Sequence, residues 1–178
     1  MPRLNVVEPS SATGTVKEIF DGPLQGMHFN IFKGFANSPA LLKGYVGLAG
    51  ALSEGALSKK EAEVVALTLS EANGCDYCTA AHTAIGQSAG LTQEETVQAR
   101  LGSIADDPKL DALARFTTAI HEKKGNVGDE DVEAFRGAGY GDDAIAEVIG
   151  HYALNTLTNY FNHVNQTAVD LPAAPKIG

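Results

Sequence analysis

The chain repeats one local pattern: a helix-capping residue, then apolar residues at helical spacing, then glycine. Serine, threonine and aspartate are favoured caps, proline fits the first helical turn, and glycine adopts the left-handed conformation that ends many helices. The predicted helix starts are Ser38-Pro39, Ser58 with Glu61, Thr92 with Glu95 and Asp107-Pro108, and Asp129 and Asp142 are expected to be the N-cap residues of two more helices. Residues 13–21 and 27–36 are weaker helix candidates. Since no alternating strand pattern competes with these helices, the sequence predicts an all-α fold.

Length and composition indicate one globular domain over residues 1–178, with 44% hydrophobic residues and no repeat or linker. Its last helix is expected to run from about residue 142 to 170. A net charge of −9 argues against nucleic acid or anionic membranes as partners. No apolar stretch is long enough to span a bilayer, and the N-terminal residues lack the pattern of a secretory signal. We therefore expect a cytoplasmic protein.

Both cysteines of the chain lie in the stretch EANGCDYCTAAHTAIG, residues 71–86. A helix that begins at Cys75 places Cys75, Cys78 and His82 on one face. A thiol in the first helical turn lies beside unpaired N–H groups and the positive end of the helix dipole, which stabilise its thiolate. An imidazole one turn away can carry the proton of Cys78. In a reducing compartment such a pair suits redox or metal chemistry better than a permanent bridge.

Several interpretations remain open from these residues alone. The cysteines could be an inert buried pair. They could also bind zinc together with His82, although no fourth cysteine or histidine lies within twenty residues. The partner that orients His82 could be Glu63 or Glu71 of the preceding helix, and helix pairing does not decide between them. For Glu61 we expect an ordinary solvated charge.

The last predicted helix carries an unusual polar face. Its members are uncharged amides and imidazoles instead of lysine and glutamate: His151, Asn155, Asn159, Asn162, His163 and Gln166. Such a face suits a hydrated pocket or a symmetric interface better than open solvent. We take His163 as the candidate for a second imidazole near the thiols.

The spacing Glu63, eleven residues, Cys75-Asp76-Tyr77-Cys78, three residues, His82 resembles the alkylhydroperoxidase D (AhpD) proteins. These form the thiol-dependent branch of the carboxymuconolactone decarboxylase superfamily. The similarity covers about residues 40–105 and extends more loosely to the C-terminal NTLTNYFNHVNQTAVDLP, which resembles peroxidase-related members. The resemblance implies an AhpD-like helical bundle with the CxxC motif at the N-terminus of a buried helix. It also implies a homo-oligomer, either a trimer or a hexamer of dimers.

The same resemblance implies roles for individual residues. Cys78 would be the peroxidatic thiol and Cys75 the thiol that closes the disulfide, while His82, linked to Glu63, would relay the proton. No bound cofactor or metal is implied; a reducing dithiol such as lipoamide on a carrier protein would regenerate the thiols. Tyr77 stands where the best-studied members have a second histidine, which leaves the electron donor and the efficiency of the relay open.

The function expected from the sequence is therefore that of a thiol-dependent, antioxidant peroxidase of the alkyl hydroperoxide reductase type. Three alternatives remain: a thiol–disulfide oxidoreductase acting on another disulfide, a non-catalytic oligomeric binding module, and an enzyme with carboxymuconolactone decarboxylase chemistry. The last of these would not need two cysteines.

Overall fold

The computed structural model describes residues 1–177, and over that range the chain forms nine α-helices, one short 3-10 helix (Pro9–Ser11) and no strand. The α-helices are α1 (Gly14–Asp21), α2 (Asn30–Phe35), α3 (Pro39–Leu52), α4 (Lys59–Ala72), α5 (Asp76–Ser88), α6 (Gln93–Arg100), α7 (Pro108–Glu122), α8 (Asp129–Gly137) and α9 (Asp142–Asn165). The predicted all-α fold is confirmed. Within residues 1–177, none of these helices is long and apolar enough to cross a membrane.

Helix starts that carry a side-chain cap are found where the sequence places them. The Ser38 side chain accepts a hydrogen bond from the backbone of Leu41 at the start of α3, and Asp107 caps α7 in the same way. Both predicted capping boxes, at α4 and α6, form with reciprocal bonds. The prediction that Asp129 and Asp142 are N-cap residues is wrong. Each is the first residue of its helix and follows a glycine cap.

The last helix, α9, ends at Asn165, short of the expected residue 170. Gln166 adopts a left-handed conformation with φ of 51°, and its backbone N–H is bonded to carbonyls of the final turn. The chain then leaves the helix axis. Residues 166–177 form an irregular segment, which we call the C-terminal segment.

The expectation that Glu61 is an ordinary solvated charge is wrong. Glu61 is only 8% exposed. Its carboxylate accepts hydrogen bonds from the hydroxyl and the backbone N–H of Ser58, and Nζ of Lys109 in α7 lies 3.0 Å from its Oε1. Burial opposes ionisation, but these bonds outweigh it and lower the pKa of Glu61 to about 2. The carboxylate thus joins the start of α4 to α7.

Helix α4 lies at the centre of the molecule and packs against α5, α6, α7 and α9. Its valine and leucine side chains are fully buried and belong to a cluster shared with α6 through α9. A second cluster joins the N-terminal helices α1 to α3, and both cysteines belong to it. The cysteine segment therefore lies where the N-terminal helices cover the central bundle.

Two glycines bring α4 and α5 together. Gly74 reverses the chain between the helices with φ of 65°, a conformation that other residues adopt only with strain. In α5, a Cβ added at Gly86 would lie 2.9 Å from the side chain of Leu91 and 3.6 Å from Cβ of Glu63. This close approach places the side chain of Glu63 directly against α5.

Candidate active site

The two cysteines lie at the N-terminal end of α5. Cys75 is the N-cap residue, and its sulfur accepts a hydrogen bond from the backbone N–H of Cys78 at 3.3 Å. Both thiols are free and buried, and their Sγ atoms are 2.7 Å apart. The two sulfurs are therefore in direct contact inside the protein.

The surroundings of the two thiols shift their pKa values in opposite directions. Sγ of Cys78 accepts a hydrogen bond from Nδ2 of Asn162 at 3.2 Å. The pKa of Cys78 is lowered, first by the hydrogen bond from the Cys75 thiol and then, against burial, by Asn162, Asn159 and Thr158 of α9. The pKa of Cys75 is raised because its proton is held by Cys78 and because the thiol is buried. Since the thiolate is the nucleophilic form of a cysteine, these surroundings favour Cys78 over Cys75 as a nucleophile.

His82 is paired with Glu63 across the contact between α4 and α5. Nδ1 of His82 lies 2.8 Å from Oε2 of Glu63, and the two side chains are only 20% and 14% exposed. Burial disfavours the imidazolium, but the charge and hydrogen bond of Glu63 outweigh it and raise the pKa of His82. The alternative partner, Glu71, instead accepts a bond from Nε of Arg100 at 2.8 Å.

One cavity of about 440 Å³ reaches Cys78, and we call it the apolar cavity. The cavity is lined by Cys78, Tyr77 and His82. Its other lining side chains are largely aliphatic and aromatic and include Leu24, Met27, Phe29, Ile31, Phe32 and Leu171. Its size is within the usual range of small-molecule sites. An apolar group can therefore be bound next to the thiolate and the imidazole.

A second cavity, of about 460 Å³, lies next to the apolar cavity. Glu63, Lys59, His151 and Asn155 are among its lining residues, and His82 belongs to the walls of both cavities. His151 is 7% exposed, and its Nε2 has no hydrogen-bond partner among residues 1–177. Burial lowers the pKa of His151, although the nearby charges of Glu147 and Glu63 oppose it. A neutral imidazole therefore lies close to the His82–Glu63 pair.

The comparisons with known proteins support the fold. The family model of the carboxymuconolactone decarboxylase family matches residues 39–121. A peroxidase-related protein from Ralstonia eutropha, described as an alkylhydroperoxidase AhpD core, superposes with a TM-score of 0.83 at 23% identity over 95% of this chain and 92% of that one. The fold of the chain is therefore that of the AhpD core, and residues 39–121 are similar to the carboxymuconolactone decarboxylase family.

Two further solved structures share the fold. A peroxidase-related protein from Silicibacter sp. matches with a TM-score of 0.75 at 20% identity, over 93% of this chain and 89% of that one. The debrominase Bmp8, as a cysteine-to-alanine variant in complex with 2,3,4-tribromopyrrole, matches with a TM-score of 0.78 at 17% identity, over 96% and 92%. No curated protein sequence matches the chain significantly.

In this AhpD-like fold the polar face of α9 divides into two parts. His151, Asn155, Asn159 and Asn162 are buried against the site, whereas His163 and Gln166 are exposed. Nε2 of His163 lies 3.2 Å from the carbonyl oxygen of Gly74, so the structure does not bring His163 onto the sulfurs. The α9 side chain that contacts the sulfur of Cys78 is instead Asn162. The amide-rich face was the sequence signal for it, but the pattern does not single out one amide.

Tyr77 has a different environment from the thiols and the relay. Its hydroxyl donates a 2.8 Å bond to Oδ1 of Asp170 and accepts a 3.3 Å bond from the backbone N–H of Ile31. Burial and the Asp170 carboxylate raise its pKa, so the phenol stays neutral. Among residues 1–177, no group of three or more histidine, cysteine or acidic side chains is arranged to hold a metal ion.

Proposed function

We propose that the protein is a thiol-dependent peroxidase whose attacking group is Cys78. The observation that carries this proposal is the arrangement of three side chains at one cavity. The Cys78 thiolate is stabilised by Cys75 and Asn162, and it opens into the same cavity as His82, which Glu63 keeps basic. An activated thiol, a second thiol in contact with it and a proton donor are what a two-cysteine peroxidase requires.

The reaction balances with these groups alone. The thiolate of Cys78 attacks the terminal oxygen of a hydroperoxide ROOH, the O–O bond breaks, and Cys78 becomes a sulfenic acid. Protonated His82 supplies the proton with which RO⁻ leaves as the alcohol ROH, and Glu63 stabilises the imidazolium until then. The thiol of Cys75 then attacks the sulfenic sulfur, and a disulfide and one molecule of water form. The 2.7 Å separation of the sulfurs supports this second step.

Regeneration requires an external dithiol, which transfers two electrons and two protons to the disulfide. Because Cys75 is 1% and Cys78 2% exposed, the reducing thiol has to enter through the cavity. A slender dithiol such as the lipoyl arm of a carrier protein suits that path better than a thiol held on a broad protein surface. The homo-oligomer that the family resemblance implies belongs to the same proposal.

The test is peroxide consumption with cumene hydroperoxide as substrate and dihydrolipoamide as reductant. We expect Cys78→Ser to abolish turnover. We expect Cys75→Ser to stop after one equivalent and to leave a sulfenic acid, which dimedone traps as a mass adduct. Retained turnover in Cys78→Ser would overturn the proposal, and faster reduction of a model disulfide than of any peroxide would favour the thiol–disulfide oxidoreductase.

A second candidate is reductive dehalogenation, which the apolar cavity beside Cys78 and the fold shared with a debrominase both favour. In that reaction an aryl bromide and the two thiols give the debrominated arene, the disulfide, a proton and bromide. Incubation with 2,3,4-tribromopyrrole and dihydrolipoamide distinguishes the two candidates. Cysteine-dependent bromide release faster than peroxide turnover would replace the first proposal with the second.

A further inference from the structure

The C-terminal segment folds back onto the cysteine motif and α2. The carboxylate of Asp170 accepts two hydrogen bonds, one from the Tyr77 hydroxyl at 2.8 Å and one from the backbone N–H of Asn30 at 2.8 Å. The Asn30 side chain donates in return to the carbonyl of Ala168 at 3.0 Å. Further along, the carbonyl of Pro175 accepts a 2.6 Å bond from Arg100. The segment is therefore attached at two separate places.

The residue after Asp170 contributes to the apolar cavity. Leu171 is half-buried, packs against the N-terminal hydrophobic cluster and lines the cavity together with Tyr77 and Ile31. Tyr77 thus lines the cavity, and its hydroxyl is bonded to Asp170. The same bond that fixes the segment also fixes Leu171 in the wall of the cavity that Cys78 lines, because residues 170 and 171 are adjacent in the chain.

We propose that Tyr77 and Asp170 form a latch that holds Leu171 in the wall of the apolar cavity, and that Leu171 thereby selects which apolar substrates reach Cys78. An alkyl or aryl hydroperoxide, the substrate expected for the proposed peroxidase, can fill the cavity with its apolar group, whereas hydrogen peroxide has none. This assignment of substrate rests on the proposed peroxidase function. The control of access to Cys78 does not, because it applies to any reagent.

Three features support the latch. The Tyr77 hydroxyl is a neutral donor facing a carboxylate, which makes a strong hydrogen bond. The bond spans 93 positions of sequence, so it joins two elements that no local structure holds together. The Tyr77 hydroxyl also accepts a bond from the backbone N–H of Ile31, so the phenol that holds Asp170 is itself fixed to α2.

The test measures access to Cys78 by alkylation, in a Cys75→Ser background so that one thiol reacts. Iodoacetamide is the small reagent and N-phenylmaleimide the bulky apolar one, and the ratio of their rates cancels any change in the pKa of the thiol. We expect Leu171→Ala to raise the bulky-to-small ratio about threefold to tenfold and Leu171→Phe to lower it. Tyr77→Phe and Asp170→Asn should raise it as well, with faster amide hydrogen exchange over residues 168–172.

Matched controls separate the latch from general loosening. Val169→Ala changes an exposed neighbour in the same segment, and Tyr152→Phe removes a hydroxyl that bonds His121 far from the cavity. Both should leave the ratio unchanged. An unchanged ratio in Leu171→Ala and Asp170→Asn would overturn the latch, whatever the enzyme activity.

The substrate class is tested separately, with the two native cysteines in place. The ratio of kcat/KM for cumene hydroperoxide to kcat/KM for hydrogen peroxide should exceed one in the wild type and shift at least threefold in Leu171→Ala. A wild-type preference for hydrogen peroxide would overturn the substrate class. If the protein is inactive on both peroxides but shows the expected alkylation ratios, the peroxidase proposal is overturned and the latch proposal stands.

Discussion

Nδ2 of Asn162 lies 3.2 Å from Sγ of Cys78, and the hydrogen bond joins the last turn of α9 to the first turn of α5 across 84 positions of sequence. A buried anion is unfavourable unless donors replace the water it has lost. Asn162 supplies such a donor from outside the cysteine helix, alongside the thiol of Cys75. The lowered pKa of Cys78 therefore depends on how α9 packs as well as on the CxxC motif.

Replacing Asn162 should make Cys78 less reactive near neutral pH. Asn162→Ala removes a hydrogen bond to the thiolate, and such bonds to charged groups contribute about 1.5–3 kcal/mol. The pKa of Cys78 should rise, and its rate of alkylation by iodoacetamide at about pH 7 should fall about tenfold or more. Peptide mapping by mass spectrometry measures the rate at Cys78 alone. Asn126→Ala, which changes an exposed turn, should react like the wild type; equal rates in all three proteins would contradict the role of Asn162.

The local parts of this architecture could be predicted from sequence because their causes lie within one turn of the chain. A capping box needs only Ser58 and Glu61, and the common face of Cys78 and His82 needs only helical spacing. The pairing of Glu63 with His82 came from a family resemblance, since two acids of α4 were open on helical geometry alone. The structure supports Glu63 through the close approach of the helices at Gly86.

The non-local parts depend on packing that no local pattern encodes. His163 and Asn162 differ by one position, which is about 100° around a helix, and the orientation of α9 decides which of them meets Cys78. Likewise, nothing near Tyr77 in sequence points to Asp170, and nothing near Glu61 points to Lys109. These contacts join elements that are distant in the chain, so they required the folded structure.

Removing the charge of Glu63 should lower the pKa of His82. The raised pKa of His82 reflects an ion pair whose stabilisation is fully present below the unfolded pKa of about 6.5 and is lost as pH rises through the folded pKa. The difference in unfolding free energy between wild type and Glu63→Gln should therefore be larger at about pH 6 than at about pH 9. An NMR titration of the His82 ring and urea unfolding at both pH values measure the two effects. Glu18→Gln, on the exposed side of α1, should show neither; an unchanged His82 midpoint in Glu63→Gln would contradict the pairing.

Glu61→Gln should destabilise the protein in a pH-dependent way. A depressed carboxyl pKa stabilises the fold above the unfolded pKa of about 4.5, and this contribution is lost as pH falls towards the folded pKa of about 2. We expect a loss of about 1.5–3 kcal/mol near pH 7, as for other hydrogen bonds to charged groups, and convergence with the wild type in acid. Urea unfolding across this range measures it. The equivalent change in the more exposed capping box, Glu95→Gln, should have an effect below about 1 kcal/mol; equal losses at both sites would contradict the effect of burial.

The approach of α4 and α5 at Gly86 should be sensitive to a single methyl group. In Gly86→Ala the new Cβ would lie 2.9 Å from Leu91 and 3.6 Å from Glu63, so the helices have to separate or Leu91 has to move. Overpacking of this kind costs about 1–3 kcal/mol, which exceeds the gain of about 0.5–1 kcal/mol from replacing a helical glycine.

Separation of the helices should also weaken the His82–Glu63 pair, since His82 lies one turn before Gly86 on the same helix. We therefore expect lower stability in urea together with a lower titration midpoint for His82. Gly44→Ala is the matched control, because a Cβ at that exposed position of α3 meets no atom within 4 Å, and it should raise stability by about 0.4–1 kcal/mol. If Gly86→Ala were as stable as Gly44→Ala and left the His82 midpoint unchanged, the close packing at Gly86 would not be what holds the carboxylate against the imidazole.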